Sequence, residues 1–199
     1  MNNIFGKGKE KILECFYINK DKEIYFSEIL RQTGLTQNTT LKHLKKLQDS
    51  NFIILNKKIG NTFYRINKKN PQLYSILSYF DYKKFNGLPS TRKRAISEFL
   101  DKLEIKPVIA IVFGSTAKGT FRRESDIDIL LVYNLKELEN SKLKEEIEAT
   151  TGSSIQTFII DYGYFKEQLL KQEDKVVVHA IKTGFVILGH YEFYKDVLQ

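Results

Sequence analysis

Apolar residues fall three and four apart over residues 8–18, where Ile12, Leu13 and Phe16 share one side, and similar spacing recurs over 26–33 and 36–49. A period of 3.6 predicts three amphipathic helices in succession. The pattern then changes. FIILNKKIGNTFYRI, residues 52–66, reads as two short strands around a Gly60-Asn61 turn, a hairpin signal. Helical spacing returns over 71–82. The stretch KKFNGLPST, residues 83–91, then combines Gly, Pro and Ser between two helical patterns and is the best candidate boundary.

Beyond it, RKRAISEFLDKL reads as an amphipathic helix, and VIAIVF, residues 108–113, as a continuous apolar strand of the kind buried on both faces. A second strand is predicted over 126–132, a helix over 135–149 and a third strand over 154–160. Helices over 163–171, 174–186 and 190–198 finish the chain. Strands alternating with helices imply one mixed sheet with helices packed against it, so the expected class is α+β. There are no internal repeats.

With 199 residues, 42% of them hydrophobic, the chain can bury one sizeable core or two modest ones. Charge separates the halves. Residues 1–90 carry 16 lysines and arginines against 7 acids, whereas residues 91–199 carry 16 against 17, so the net +8 resides in the first half. Such asymmetry suits a nucleic-acid-facing part joined to a part with other work, or a lysine-rich surface that serves solubility. No apolar run reaches the roughly 18 residues needed to span a bilayer, and the N-terminus lacks a signal-peptide pattern. The expectation is a soluble, cytoplasmic protein with no membrane partner. The single cysteine, Cys15, excludes an internal disulfide and reads as a small core residue.

In the basic half, Ser27 can cap the second helix, Gly34 supplies a tight turn and Thr36 can cap the third. On the third helix Thr40, Leu41, Leu44 and Leu47 are expected on one face, with Asn38, Thr39, Lys42, Lys45 and Lys46 opposite. That second face is either a solvated lysine surface or a nucleic-acid reader, with Gln37, Asn38 and Thr39 offered to base edges and lysines to phosphates. The hairpin that follows carries Lys57 and Lys58 near its tip and Arg65 on its return strand. Helix, helix, helix and basic hairpin over residues 8–68 resemble the winged helix-turn-helix regulators of bacteria and archaea. The resemblance implies binding of double-stranded DNA through Gln37, Asn38, Thr39, Lys42, Lys46, Lys57, Lys58 and Arg65. Leu41 stands where many such regulators carry a small polar residue.

The second half places chemistry inside an apolar strand. In VFGSTAKGTFRRESDIDILLV, residues 112–132, Asp126 and Asp128 are two apart, so they share a strand face with Cα atoms roughly 6.6 Å apart. Carboxylates at about 5 Å repel by something near 3 kcal/mol at an effective dielectric of 20. A divalent cation removes that penalty, and hard oxygen ligands on a rigid face suit Mg²⁺ completed by phosphate oxygens. Gly114-Ser115 ends the preceding strand where the backbone can approach anionic oxygens, and Lys118, Arg122 and Arg123 add positive charge. Together these read as a nucleoside triphosphate site.

Gly114-Ser115, ten residues, then Asp126-Ile127-Asp128 resembles the signature of the DNA polymerase beta-like nucleotidyltransferase superfamily, most closely its minimal nucleotidyltransferase branch. The ending IKTGFVILGHYEFYKDVL is similar to the usual finish of its members. The resemblance implies transfer of a nucleoside monophosphate, commonly AMP from ATP, dependent on Mg²⁺ or Mn²⁺. Asp126 and Asp128 would carry the metal, and Gly114 and Ser115 would hold the triphosphate. It also implies a role as the antitoxin of a two-gene pair, with a protein toxin as acceptor.

The division expected is a winged helix domain over 1–70, a helical linker over 71–90 and a nucleotidyltransferase domain over 91–199, and a homodimer is compatible with it. One position departs from the active pattern: the third acid expected on a later strand is matched by Gln156, and Asp161 lies five residues on with opposite facing. Two readings stay open, an active transferase and a transcriptional regulator whose degenerate transferase domain binds nucleotide or a partner. A third has the basic half docking RNA or an acidic protein. His43 reads as a packing or phosphate contact, and His179 and His190 have no metal-pair spacing.

Overall fold

A computed structural model describes residues 5–58, 61–134 and 141–198. Gly60 of the expected hairpin turn, and residues 135–140 of the helix expected over 135–149, lie outside them. The chain divides into two compact units, one reaching to Phe80 and the other covering Asp81–Leu198.

The first unit holds α1 (Lys7–Ile18), β1 (Ile24–Tyr25), α2 (Phe26–Thr33), α3 (Gln37–Asp49), β2 (Ile53–Lys58) and β3 (Asn61–Ile66). Its sheet runs β1-β3-β2, antiparallel throughout, with Ile53 opposite Ile66 and Lys58 opposite Asn61. Ile12, Phe16, Ile24, Ile29, Leu44 and Ile53 are buried between helices and sheet. Helix α3 is capped as expected, with the Thr39 amide donating to Thr36 Oγ1, and Gly34 closes α2 in the left-handed region. Ser27 does not cap α2. The helix begins one residue earlier, at Phe26, which puts Ser27 inside its first turn.

The dividing point falls inside α4 (Gln72–Asn86), which extends four residues beyond the helix read over 71–82. There follow α5 (Ser90–Lys102), β4 (Ile109–Phe113), α6 (Gly114–Lys118), β5 (Ile127–Tyr133), α7 (Ser141–Thr151), β6 (Ile155–Asp161), α8 (Tyr162–Lys171), α9 (Lys175–Thr183), β7 (Phe185–Leu188) and α10 (His190–Val197). The sheet order is β6-β5-β4-β7. Strand β4 is antiparallel to both β5 and β7, and β5 is parallel to β6, so the sheet is mixed as expected.

Two strands are absent from the sequence reading, the two-residue β1 and β7. Residues 174–186 are expected as one helix, but α9 stops at Thr183 and the apolar run after Gly184 pairs with β4 as β7. A four-residue apolar run carries no period of its own, and it is the free edge of β4 that makes it a strand.

Alternation along β5 divides the unit. Ile127, Ile129, Leu131 and Tyr133 pack with Ala95, Phe99 and Ile147, on the face covered by α5 and α7. Asp128 therefore points to the opposite face, toward α8 and α9. Because β4 ends where β5 and β6 begin, Phe113, Asp128 and Gln156 lie side by side at one end of the sheet. The start of β4 is closed by backbone packing. Gly189 has φ +75° between β7 and α10, and a Cβ there would sit 1.9 Å from the Val108 carbonyl oxygen.

Gly189→Ala is expected to destabilise the second unit by about 3 kcal/mol or more, since neither the positive φ nor the backbone overlap can relax through a side chain. Denaturant unfolding that leaves the variant within about 0.5 kcal/mol of wild type would contradict this packing.

Candidate functional site

Three backbone segments meet at the sheet end. Strand β4 finishes at Phe113, and the chain turns sharply at Gly114, φ +66°, into α6. A Cβ on Gly114 would lie 2.0 Å from Asp128 Oδ2, so the carboxylate occupies the space that any larger residue would need. This is the physical reason for glycine here: the turn requires a left-handed conformation and the neighbouring acid requires an empty side.

Asp126 immediately precedes β5 and is exposed, whereas Asp128 is half-buried. Burial raises the pKa of Asp128 above the ordinary carboxylate value, the charge of Asp126 raises it further, and His179 and Arg92 act against both. The pair thus sits close enough for mutual repulsion. Gln156 is in register with Asp128 on the parallel neighbour and is exposed. It brings an amide to the place beside the acids. Asp161 is engaged otherwise, as the N-cap of α8, where it accepts from the Tyr164 amide at 2.9 Å. Among the described residues no group of three or more His, Cys, Asp or Glu gathers.

Of the other predicted residues, Ser115 is half-buried in the first turn of α6, Lys118 ends that helix exposed, and Arg122 and Arg123 are exposed on the loop before Asp126. Two further residues stand near the acids, His179, to which the sequence reading gives no role, and Arg92, which it passes over. His179 on α9 approaches Phe113 with ring centroids 6.0 Å apart and interacts with Asp128. Arg92, 4% exposed on α5, donates to Thr116 Oγ1 and to carbonyls of the 119–126 loop. A signal for Arg92 exists: positions 92, 95, 96 and 99 form the buried stripe of α5, and a cation on such a stripe has a partner inside.

A cavity of about 430 Å³ opens elsewhere in this unit, lined by residues that include Phe85, Leu100, Lys106, Leu188 and His190. None of the predicted site residues lines it. His190 is half-buried 4.0 Å from the buried Asp81, and burial lowers its pKa.

In the first unit Gln37, Asn38, Lys42, Lys45 and Lys46 form one exposed side of α3, with Thr39 half-buried beside them. Leu41 joins that side. It is 43% exposed, whereas Thr40, Leu44 and Leu47 are buried, because it lies about 100° round the helix from Thr40. On the hairpin, Lys57 is exposed, while Lys58 and Arg65 converge on Glu23, at 2.7 and 3.9 Å. His43 packs against Gly8, and burial first, then nearby lysines, lower its pKa. Cys15 is buried, and burial pushes its thiol up to about 11, consistent with a core residue.

Residues 93–187 match the family model of the nucleotidyltransferase domain. The match spans β4, α6, β5, α7, β6, α8, α9 and most of β7, and so takes in Gly114, both aspartates and Gln156. Nucleotidyl transfer is the general activity that such a domain supports. None of the curated proteins compared with the chain matches it. No helix among the described residues is long and apolar enough to cross a membrane.

In the second unit, Gly114→Ala should cost about 1 kcal/mol for the positive φ and more for the overlap with Asp128. Combining it with Asp128→Ala should recover the second part, leaving only the backbone cost, in a denaturant-unfolding cycle. Full additivity of the two changes would mean that turn and carboxylate do not touch.

Proposed function

We propose that the second unit transfers a nucleoside monophosphate from a nucleoside triphosphate, ATP in the first instance, to an acceptor, and that the first unit is a winged helix that binds double-stranded DNA. The observation that carries the enzymatic reading is the contact between the bare Gly114 and the Asp128 carboxylate. It puts backbone without a side chain against one acid of the pair, a setting that suits a triphosphate and its counter-ion.

The donor set fits a divalent cation. Two carboxylates, with the Gln156 amide alongside, offer hard oxygen ligands, and Asp128 gains from a cation because burial and the Asp126 charge both oppose its ionised form. Asp126 and Asp128 would hold Mg²⁺ or Mn²⁺. When bound, the ion supplies charge neutralisation on the triphosphate and on the departing pyrophosphate. The chain's own part is positioning: Gly114 and Ser115 hold phosphate oxygens, and Lys118, Arg122 and Arg123 attract the anion from the α6 end and the adjoining loop. The acceptor oxygen bonds to the α-phosphorus as the bond to pyrophosphate breaks. A protein acceptor, with the chain as antitoxin, rests on the minimal nucleotidyltransferase resemblance.

A second reading is favoured by Gln156. An amide takes no proton, so a regulator that binds nucleotide without turnover fits the same residues. Incubation with α-labelled ATP, Mg²⁺ and a cell extract distinguishes the two. Label transfer lowered at least 100-fold by Asp128→Asn is the expected result, and ATP binding with no transfer in either protein establishes the regulator instead.

For the first unit, Gln37, Asn38, Thr39 and Lys42 face the groove and Lys46, Lys57, Lys58 and Arg65 the phosphates. Lys58 and Arg65 must leave Glu23 to do so, an exchange that costs little for exposed ion pairs. Changing Lys42 and Lys46 together to Ala should weaken DNA binding and lower the slope of log affinity against log salt by about 0.9 for each phosphate no longer neutralised. Fluorescence anisotropy across a salt series reads this, with RNA as competitor. An unchanged slope would remove α3 from the interface.

A further inference from the structure

Arg92 lies one residue before the segment matched by the nucleotidyltransferase model, in the first turn of α5, with its guanidinium turned inward. Nη1 donates to Thr116 Oγ1 at 2.9 Å and to the Asp126 carbonyl at 3.5 Å. Nη2 donates to the Arg122 carbonyl at 3.1 Å and to the Ser125 carbonyl at 2.6 Å. Four acceptors thus face the four N–H groups of the two terminal nitrogens. The Phe121 ring covers the guanidinium, its centroid 4.2 Å from Cζ.

Every one of these partners belongs to α6 or to the loop that leads from it to β5. That loop is fastened at its start by Thr120 N donating to the Ser115 carbonyl, and it turns through Arg122 and Ser125, which exchange two hydrogen bonds. Its fastening to α5 is Arg92. A buried cation is costly, and one committed to four neutral acceptors instead of a paired carboxylate has a positional task.

We propose that Arg92 is a positioning residue: from α5 it fixes the loop 119–126 and with it the separation of the Gly114-Ser115 turn from Asp126 and Asp128. Lysine cannot replace it. A single ammonium nitrogen has three donors at one point, whereas these acceptors are spread over the fork of a planar group. The consequence for metal binding rests on the reading of Asp126 and Asp128 as the ligands.

The test uses the full chain, with Arg92→Lys, Thr116→Val and Asp128→Asn, each measured where circular dichroism shows it folded. Mn²⁺ affinity is read by electron paramagnetic resonance without turnover, and hydrogen exchange is followed by mass spectrometry. Arg92→Lys should weaken Mn²⁺ at least tenfold and speed exchange selectively in 119–126. Thr116→Val, which removes one acceptor, should do the same to a smaller extent, about threefold, and decides the matter if Arg92→Lys does not fold. Mn²⁺ affinity within twofold of wild type for the folded variants, with Asp128→Asn abolishing binding, overturns the proposal. If wild type binds no Mn²⁺, the reading of the two acids fails, and exchange alone then decides on Arg92. Acceleration confined to 119–126 supports it, and none, or acceleration spread over α5 and β4, overturns it.

Discussion

A half-buried carboxylate pressed against a residue without a side chain sets the terms for the second unit. Asp128 is drawn out of water by its place on β5, next to a second acid whose charge opposes its own. Two groups act against that cost, Arg92 from the α5 side and His179 from α9. On the proposed reading a divalent cation would remove what remains of it.

The two units handle charge in opposite ways. In the second, the cation that matters is buried and committed to carbonyls, and its value lies in geometry. In the first, the cations are on the surface, and Glu23 already draws two of them together on the hairpin. Surface pairs of that kind exchange readily with phosphates, whereas the bonds of Arg92 are shielded from exchange, because almost no solvent reaches it. The same residue types therefore form exposed ion pairs in one unit and an internal brace in the other.

Much of this is legible in the chain. Strand alternation puts Asp126 and Asp128 together and Ile127 and Ile129 on the core face, and the Gly-Ser pair marks the turn. Helix capping is legible at Thr36 and not at Ser27, because capping depends on where the first turn starts, and Phe26, an apolar residue, supplies no local signal for that. The chemistry of Leu41 assigns it to the core, although its angle on the helix is nearer to the polar side. The β7 run is hidden for a different reason: FVIL is strand or helix according to whether an unpaired edge is waiting for it. Arg92 sits in the triplet Arg92-Lys93-Arg94, which reads as a solvated face until the period of α5 is followed through it.

Gln156 bears on turnover more than on binding. On the proposed reading, the three charges of Asp126, Asp128 and Arg92 sum to −1, which a divalent ion would invert to +1, a sign that favours a triphosphate. An additional acid in place of Gln156 would make the ion-loaded site neutral and weaken that attraction. The amide, by contrast, takes no proton from an acceptor. On the proposed reading, holding a nucleotide and deprotonating an acceptor would fall to different groups, and a chain with the first complete could lack the second without any change in fold.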